Sequence, residues 1–577
     1  MKAARNLISL LLALALLGGI PAAWAEDSSY FTNRDLNQTY DAGKAVCIVL
    51  SGDSASCESA SVSILDTAVT ISAEGIYVLS GTLTDGQIIV DAPKDAKVQL
   101  VLSGADIHCE TSAAIYVRQA DKVFITLDTD TRNTLSCGET FEAIDESNID
   151  AALFSKDTLT ISGSGSLTVL SSGGHGIVSK GKLKITGGDI RVTAVNHGIT
   201  AKNGVYMADG TLNITAGQDG LRAENDEETD RGQIVISGGS IQISADGDGI
   251  YASGNIEISG GDFTVTTGGG SAEAASDQDD RGGWDRGGWG SSSGSSNDSI
   301  STKGLKSDGI LSLSGGNYTL DCLDDAIHGS ANVVISGGTY RITTGDDGIH
   351  ADTDVLISGG TITIAQSYEG IEGQRIEISG GNIDITASDD GMNAAGGDDE
   401  SQFGFFESSD SNEIIISGGC TVINADGDGL DSNGDFTVTG GELYVSGPEN
   451  SGNGALDFNG TGTITGGIVI AAGASGMAQN FGSTSTQGAM LVSCSGQSGT
   501  VITLLDEDGN ELISWTGRKR FSSIVISMPS IQSGNTYTLT SGTSSQTITM
   551  NGLIYGSGFS FGGGGFGGFG GGGGHRP

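Results

Sequence analysis

The chain has 577 residues, with 27 Lys and Arg residues against 71 Asp and Glu residues, which gives a net charge of -44. Nucleic acid is excluded as a partner, because its binding depends on cationic contacts to phosphate. A cation, or a ligand bound through a cation, is the partner that this charge favours. The 96 Gly residues come with only 5 Pro residues, so glycine separates short elements here and does not form a collagen repeat.

Residues 1–25 have the three parts of a secretory signal peptide. Lys2 and Arg5 precede an apolar run over residues 7–20, and residues 23–25, AWA, form an A-x-A cleavage site. We therefore predict that the mature protein is secreted and is extracellular or attached to the cell surface, including the cell wall. No other apolar stretch approaches the roughly 18 residues of a membrane helix, so we expect no membrane span after cleavage.

Residues 26–172 are predicted to form an N-terminal cap and the first coils of a β-helix. Segments such as residues 77–83, YVLSGTL, and residues 123–128, VFITLD, have the composition of short strands and are separated by Gly-containing turns. Their irregular spacing is typical of terminal repeats, and a cap is needed because an open coil end would expose unpaired backbone groups.

Residues 173–486 contain a repeat with a base period of 22 residues. The unit is clearest in residues 332–354, NVVISGGTYRITTGDDGIHADTD, and the Gly of its Asp-Gly-Ile step stands at positions 348 and 370. Three apolar runs of period two, separated by Gly-rich turns, predict three short strands per coil with Val, Ile and Ala pointing inward. The Gly pairs exclude a helical repeat. We therefore predict an all-β parallel β-helix solenoid of about 22 residues per coil.

Three insertions interrupt the regular coils, at residues 224–232, 268–303 and 396–412. Insertions into a solenoid map to its turns and often carry the binding face. Two of them place aromatic side chains in otherwise polar sequence, and these are the candidate carbohydrate-binding residues: Trp284, Trp289, Phe403, Phe405 and Phe406. The aromatic rings either stack on sugar rings or form an apolar patch that pins the loop to the coils, and the sequence leaves both interpretations open.

Beyond residue 486 the 22-residue period is lost. Short apolar segments separated by Gly, Asn and Pro turns predict a small antiparallel β module over residues 487–550, which would cap the solenoid. Residues 551–577 are rich in Gly and Phe, and this low complexity predicts a disordered tail.

The acidic residues concentrate at the Asp-Gly step of the repeat. One interpretation needs no metal, because Asp tolerates a left-handed turn and bonds its own backbone. It does not explain the second carboxylate in many repeats, where charges stacked about 4.8 Å apart would repel. Ca²⁺ prefers about six to eight oxygen ligands and would reverse that repulsion. We predict stacked Ca²⁺ sites with ligands from the following residues: Asp219, Asp246, Asp248, Asp324, Asp325, Asp346, Asp347, Asp352, Asp354, Glu369, Asp389, Asp390, Asp426, Asp428 and Asp431.

Other repeats are predicted to bind no metal. They carry His175, His197, Asn453 or Ser475 at the position that precedes the Gly. Neutral or cationic side chains supply too little negative charge for a hard cation.

The repeat ISGGxxxI...DGI and three N-terminal phrases closely resemble the secreted bacterial carbohydrate-binding β-helix family. The phrases are YVLSGTLTDGQIIVDAPKDAKVQLVLSGADI, AAIYVRQADKVFITL and LFSKDTLTISGSGSLTV. The resemblance covers most of residues 40–480. It implies a right-handed parallel β-helix related in fold to polysaccharide lyases, Ca²⁺ along the coils, and binding of cellulose-like and acidic plant polysaccharides. The aromatic insertions and the Gly/Phe tail depart from the family pattern.

We expect a non-catalytic carbohydrate-binding protein, in which Ca²⁺ bridges protein and sugar carboxylates while aromatic rings stack on pyranose faces. One alternative is a pectate-lyase-like enzyme, in which Ca²⁺ acidifies a sugar proton and Lys306, Arg341 or Arg375 removes it. Another is a structural cell-surface adhesin. Lys and Arg are usually solvated surface residues, which favours binding over catalysis.

Overall fold

The computed structural model describes residues 30–228, 230–274, 301–395, 412–556 and 558. The predicted signal peptide and most of the predicted tail lie outside these residues, as does the greater part of both aromatic insertions. The chain divides into two compact units, Met1–Asp262 and Phe263–Pro577, called unit 1 and unit 2 below. Within the described residues, no helix is long and apolar enough to cross a membrane.

Unit 1 consists mainly of short strands. A 3-10 helix, Ala42–Lys44, precedes them and is capped by the Asp41 carboxylate, which accepts a hydrogen bond from the Gly43 N–H. The described strands are β1 Ala45–Gly52, β2 Ala55–Ser56, β3 Val62–Leu65, β4 Ala68–Ile71, β5 Gly75–Leu83, β6 Gln87–Asp91, β7 Lys97–Cys109, β8 Ile115–Gln119, β9 Lys122–Leu127, β10 Arg132–Cys137, β11 Ala151–Ser155, β12 Thr158–Gly163, β13 Ser166–Ser171, β14 His175–Ser179, β15 Leu183–Ile185, β16 Asp189–Ala194, β17 Ile199–Ala201, β18 Val205–Met207, β19 Thr211–Ala216, β20 Leu221–Ala223, β21 Ile234–Ile236, β22 Ser240–Ala245, β23 Ile250–Ala252 and β24 Ile256–Ile258.

Unit 2 has the same short strands. Its first strand, β25, begins at the unit boundary. The described strands are β25 Asp262–Thr267, β26 Leu305–Ser307, β27 Leu311–Leu313, β28 Asn317–Cys322, β29 Ile327–Gly329, β30 Val333–Ile335, β31 Thr339–Thr344, β32 Ile349–Ile357, β33 Thr361–Gln366, β34 Ile371–Ile378, β35 Asn382–Ala387, β36 Met392–Ala394, β37 Glu413–Ile416, β38 Cys420–Ala425, β39 Asp431–Ser432, β40 Asp435–Val438, β41 Glu442–Ser446, β42 Asp457–Phe458, β43 Gly462–Ile464, β44 Ile468–Gly473, β45 Ala489–Gly496, β46 Val501–Leu505, β47 Glu511–Thr516, β48 Phe521–Ser527, β49 Thr536–Ser541, β50 Ser544–Thr549 and β51 Ile554–Tyr555.

Most strands pair in parallel with the equivalent strand of the next repeat, which arranges them in three rows within each unit. In unit 1, row 1 runs β1-β5-β7-β10-β13-β16-β19-β22, row 2 runs β4-β6-β8-β11-β14-β17-β20-β23, and row 3 runs β7-β9-β12-β15-β18-β21-β24. In unit 2, row 1 runs β28-β31-β33-β35-β38-β41-β44, row 2 runs β26-β29-β32-β34-β36-β39-β42, and row 3 runs β27-β30-β32-β34-β37-β40-β43. β32 and β34 are long enough to contribute to both row 2 and row 3.

The register follows the repeat of the sequence. Ile327 lies opposite Ile349, and Ile349 lies opposite Ile371. The predicted all-β chain of many mostly parallel strands is therefore confirmed. This pairing is consistent with a solenoid of 22-residue coils.

The core is built by alternation along each strand. In β31, Tyr340 is buried and its neighbour Arg341 is exposed. Tyr340 stacks on Tyr318 of the preceding repeat, with ring centroids 4.6 Å apart. The turn before β31 needs glycine, because Gly338 has a φ of 98°, which side chains other than hydrogen rarely permit. Like residues therefore stack on like residues along unit 2.

The parallel pairing from repeat to repeat in unit 2 ends at β44. β48 runs antiparallel to β44 and β45, and β46, β47, β49 and β50 form a separate antiparallel sheet. Met490, Ile524 and Tyr537 belong to one buried apolar cluster of this region. Ile554–Tyr555 forms β51 and pairs with β45, so the prediction of disorder from residue 551 was wrong for these two residues. Their backbone groups gain partners that a disordered tail would lack.

Residues 30–44 of unit 1 are tied to strands of row 3 by a buried carboxylate. Asp35 is fully buried, and it accepts hydrogen bonds from the Thr160 hydroxyl at 2.8 Å, from Lys184 Nζ at 3.2 Å and from Lys122 Nζ. Burial alone would raise the pKa of Asp35. The bonds from Lys122 and from the Thr32 backbone outweigh burial and hold the pKa well below its usual range.

Candidate functional site

In each unit, a column of polar side chains precedes the strands of row 2, at the residue before the Gly of each repeat or, in one repeat, before Ala326. Its members are His175, His197, Asp219 and Asp248 in unit 1, and Lys303, Asp325, Asp347, Glu369, Asp390 and Asp428 in unit 2. Three members in unit 1 accept a hydrogen bond from the backbone N–H of the next member, at 3.2, 3.1 and 2.9 Å. Asp325, Asp347 and Asp390 do the same in unit 2, at 3.1, 3.3 and 2.6 Å. We call these residues the acceptor column.

The column shows that the left-handed-turn interpretation of the Asp-Gly step was wrong. Among the described residues, only Asp66 and Asp130 combine a side chain with a positive φ, and neither belongs to the column. The position instead requires an acceptor for a backbone N–H of the next repeat, which explains why His, Asp and Glu all occur there. A Cβ on Gly348 would lie 2.6 Å from the carbonyl oxygen of Gly370, so the close approach of the next repeat selects glycine.

Lys303 has no acceptor atom for the backbone N–H of the next repeat, so a neighbouring residue supplies one. The Asp325 N–H bonds to Asp324 Oδ1 at 2.9 Å instead. Lys303 Nζ donates to Asp324 Oδ1 at 3.0 Å and to Asp325 Oδ2 at 2.5 Å. Burial lowers the pKa of Lys303, but the two carboxylates outweigh it and raise the pKa well above its ordinary value. The chain therefore supplies its own cation to this repeat.

A second column lies three residues further along, on the strands of row 2. Its members include Arg222 in unit 1, and Lys306, His328, His350, Glu372, Asn393 and Asp431 in unit 2. The register places His350 between His328 and Glu372. We call these residues the facing column, because members such as Arg222, His328 and Asn393 contact side chains of the acceptor column.

In unit 1 the two columns form an ion pair at one repeat. Arg222 pairs with Asp219 at 2.6 Å and with Glu224 at 2.5 Å. Burial would raise the pKa of Asp219, but the bonds from His197 and Arg222 lower it. Asp219, which was predicted to bind metal, is thus paired with a cationic side chain of the protein, Arg222.

In unit 2 the columns assemble groups of metal-ligating atoms. Among the described residues, four groups have one ligand atom per residue within 4.8 Å of one another. They are Asp324 with Asp325 and Asp346, Asp325 with His328 and His350, Asp347 with His350 and Glu372, and Asp390 with Asp428 and Asp431.

The group of Asp390, Asp428 and Asp431, called the carboxylate cluster below, has only oxygen donors. Burial and the charges of neighbouring carboxylates raise the pKa of Asp390 to about 8, of Asp428 to about 9 and of Asp431 to about 7. Glu369 Oε2 in the preceding repeat and Asn393 Oδ1 in the repeat of Asp390 are buried, and neither has a hydrogen-bond partner among the described residues. In the part of the chain that the structure describes, these negative and acceptor atoms therefore come together with no protein cation in their group, which is a donor set that suits Ca²⁺.

A histidine cluster lies two repeats earlier in the same columns. His328 Nδ1 lies 2.9 Å from Asp325 Oδ2. His350 Nδ1 lies 3.2 Å from Asp347 Oδ2 and 3.4 Å from Glu372 Oε2. Both rings are buried.

The negative charges of the two aspartates in the histidine cluster, Asp325 and Asp347, are compensated to different extents. Burial would raise the pKa of Asp325, but the bond to His328 and the charge of Lys303 lower it. Burial and the charge of Asp325 raise the pKa of Asp347 well above its ordinary value. Within the described residues, Asp325 thus has a lysine partner, whereas no lysine pairs with Asp347.

Some predicted ligands lie in other surroundings. Asp426 pairs with Lys519 Nζ, and Asp354 lies on β32 near Arg375, whose charge lowers the pKa of Asp354 while the larger effect of burial raises it. Asp246 and Asp248 belong to none of the four groups that the described residues form.

Two further predicted ligands border the clusters. Asp352 Oδ1 lies 3.7 Å from His350 Nε2. Asp389 precedes Asp390 and raises the pKa of the Tyr368 hydroxyl, to which it is hydrogen-bonded. The aromatic candidates Trp284, Trp289, Phe403, Phe405 and Phe406 lie outside the described residues.

The sequence interpretation missed Lys303 and the facing-column residues His328, His350 and Glu372. A signal for the histidines was present, since each follows an Asp of the acceptor column by three residues in successive repeats. Residues three apart across the Gly step contact each other here, as His350 and Asp347 do.

Comparison with known proteins identifies the family. The family model described as "Carbohydrate-binding domain-containing protein" matches residues 65–348 and 346–566. A curated protein of that description from Acetivibrio thermocellus is 41% identical over 135 residues, which are 23% of this chain and 47% of the relative. This chain therefore spans about half the length of that relative.

A solved structure also shows a likeness. It is a gadolinium derivative of a polysaccharide lyase-like protein from C. thermocellum, with 38% sequence identity and a TM-score of 0.38, covering 39% of this chain and 92% of that one. The family match alone spans most of the sequence. The chain belongs to the carbohydrate-binding domain-containing protein family.

Proposed function

We propose that this protein is a secreted, non-catalytic carbohydrate-binding protein with a right-handed β-helix, and that Ca²⁺ at the carboxylate cluster binds acidic polysaccharide. One observation carries the proposal: Asp390, Asp428 and Asp431 each place a carboxylate oxygen within 4.8 Å of the other two. Family membership supports a carbohydrate as the ligand.

Calcium fits the cluster better than a protein cation or a softer metal. Asp390, Asp428 and Asp431 supply charge, and the unpartnered Asn393 Oδ1 and Glu369 Oε2 offer neutral and charged oxygens in the adjoining repeats. Ca²⁺ accepts such mixed oxygen shells at about 2.3–2.6 Å with flexible geometry. Burial and mutual repulsion raise the pKa values of these carboxylates, and the ion would relieve the repulsion.

The net charge of -44 repels a polyuronate, so acidic polysaccharide needs a local positive site on this protein. A Ca²⁺ ion that three carboxylates hold keeps coordination positions for water, because its shell takes about six to eight oxygens. A sugar carboxylate can replace those waters. Binding of polygalacturonate would then require calcium, whereas neutral glucan would depend on apolar stacking.

The surroundings of the candidate bases favour binding over lyase chemistry. Arg375 is ion-paired with Glu377 at 2.5 Å and with Glu413 at 2.7 Å. Burial lowers the pKa of Arg375, but these carboxylates raise it overall, which opposes release of a proton. Lys306 Nζ donates to Ser301, and Arg341 lies on β31 in row 1 rather than beside the columns of row 2. A general base needs a lowered pKa and a place at the site.

The test is a pull-down of purified protein with insoluble polygalacturonate, in calcium and in chelator. We expect binding in calcium only, no rise in the absorbance of unsaturated product, and loss of binding in Asp428→Asn and Asp431→Asn. Glu442→Gln is the matched control, because Glu442 is an exposed carboxylate on row 1.

Circular dichroism must show that the protein remains folded in chelator. Binding by folded protein in chelator would refute the calcium bridge. Formation of unsaturated product would refute the non-catalytic role.

A further inference from the structure

We propose that Asp347, His350 and Glu372 form a second metal site, which binds a divalent transition metal such as Zn²⁺ rather than Ca²⁺. The three residues come from two successive repeats of unit 2: His350 lies on β32 and Glu372 on β34. One ligand atom from each lies within 4.8 Å of the others. This site goes beyond the proposed carbohydrate binding and shares no residue with the carboxylate cluster.

The spacing of the ligand atoms fits a small ion. His350 Nδ1 lies 3.2 Å from Asp347 Oδ2 and 3.4 Å from Glu372 Oε2. Metal–ligand bonds of about 2.0–2.2 Å place neighbouring ligand atoms about 3.0 Å apart in an octahedral shell and about 3.4 Å apart in a tetrahedral one. The two distances therefore correspond to edges of such a shell, and an ion fits between these atoms without a large movement.

Both buried ligands are held so that the required atom points to the site. Asp347 Oδ1 accepts the Glu369 N–H at 3.3 Å as part of the acceptor column, which leaves Oδ2 toward His350. On the other side of the ring, His350 Nε2 faces Asp352 Oδ1 at 3.7 Å. Histidines that bind metals usually direct their second ring nitrogen to a carboxylate or carbonyl, which sets the tautomer.

Burial supports a permanent site rather than a surface contact. The side chains of Asp347 and His350 are 7% and 4% exposed, whereas that of Glu372 is 23% exposed and gives an ion access from solvent. One repeat earlier, Asp325 has Lys303 as its cation. The equivalent cation at Asp347 would be the metal, bound to the imidazole of His350.

The imidazole sets the choice of ion. Ca²⁺ takes oxygen ligands, whereas Zn²⁺ and its neighbours in the first transition row accept nitrogen with oxygen. The chain would thus discriminate between two cations along one pair of columns: oxygen-only ligands at Asp390, Asp428 and Asp431, and a mixed set at His350.

The experiment uses the full chain with Co²⁺ as a spectroscopic probe and Zn²⁺ in calorimetry, both in saturating calcium. We expect one Co²⁺ per chain with visible d–d absorption, displaced by Zn²⁺. His350→Asn and Glu372→Gln should weaken Co²⁺ binding at least tenfold. His108→Asn is the matched control, because His108 Nε2 lies 3.1 Å from the Glu110 carboxylate but belongs to none of the groups.

Two further variants distinguish this site from the carboxylate cluster and from the neighbouring His328. Asp428→Asn should leave the Co²⁺ spectrum unchanged, so failure of the calcium proposal would not affect the result. His328→Asn should retain Co²⁺ binding, because His328 is outside the ligand set. Absence of Co²⁺ binding in calcium, retention in both His350→Asn and Glu372→Gln, or loss in His328→Asn alone would overturn the proposal. If His350→Asn fails to fold, Co²⁺ binding by Glu372→Gln tests the proposal.

Discussion

Replacing Asp428 by Asn should have opposite effects on stability in chelator and in calcium. The change replaces a carboxyl, whose pKa burial and the neighbouring carboxylates raise to about 9, by a neutral amide, and it keeps the side-chain oxygen that accepts the Gly454 N–H. Without metal, the folded state no longer has to hold an ionised carboxylate against its neighbours or take up a proton to avoid that repulsion. With calcium, it loses a ligand of the ion.

The magnitude follows from the spacing of the oxygens. Two unit charges at the 4.8 Å limit of the cluster repel by about 3.5 kcal/mol at an effective dielectric of 20. We therefore expect Asp428→Asn to raise the unfolding free energy in chelator by about 3 kcal/mol. An ion present at about 1,000 times its Kd adds about 4 kcal/mol to the wild type, and close to none of this increment should remain in the variant.

The assay is urea unfolding followed by far-UV circular dichroism, with both proteins in calcium and in chelator. The midpoint of Asp428→Asn should exceed that of the wild type in chelator, and the wild type should overtake it in calcium. Glu442→Gln should follow the wild type in both conditions. A variant that is less stable than the wild type in chelator, or that gains the full calcium increment, would refute the electrostatic reasoning.

Three other predictions concern unit 1 and the aromatic insertions. Asp35→Ala leaves Lys122 and Lys184 buried without their carboxylate and should cost about 3–5 kcal/mol of unfolding free energy in urea; a neutral effect would argue against the buried ion pairs. Burial and the charge of His197 lower the pKa of His175 to about 4, so its neutral form contributes stability that is full above pH 6.5 and is lost as the pH falls toward 4. The loss should reach about 3 kcal/mol, and His175→Asn should flatten this part of the pH profile; an unchanged slope would contradict the assignment. The double change Trp284→Ala and Trp289→Ala should weaken cellulose pull-down and spare the calcium-dependent binding of polygalacturonate, so parallel loss of both would contradict separate sites.

The period of the sequence determined which residues share a column. Alternation of Val, Ile and Tyr with polar residues and the spacing of the Gly pairs are local properties, and parallel pairing converts a 22-residue spacing into direct neighbours, as with Ile327 and Ile349. The same period brought Asp390 and Asp428 together, although 38 residues separate them, because the insertion between them leaves the strand register intact.

Only the tertiary structure decided what each column residue contacts. The acceptor role of Asp347 depends on a backbone N–H of the next repeat, which the Asp-Gly pattern does not reveal. Lys519 reaches Asp426 from 93 residues away. The strong pKa shifts depend largely on burial, which is a property of the assembled coils. The sequence thus determined where negative charge accumulates, whereas the fold decided which carboxylates acquire a protein cation and which are left for a metal, because ion pairing depends on distance in space and desolvation depends on the surrounding chain.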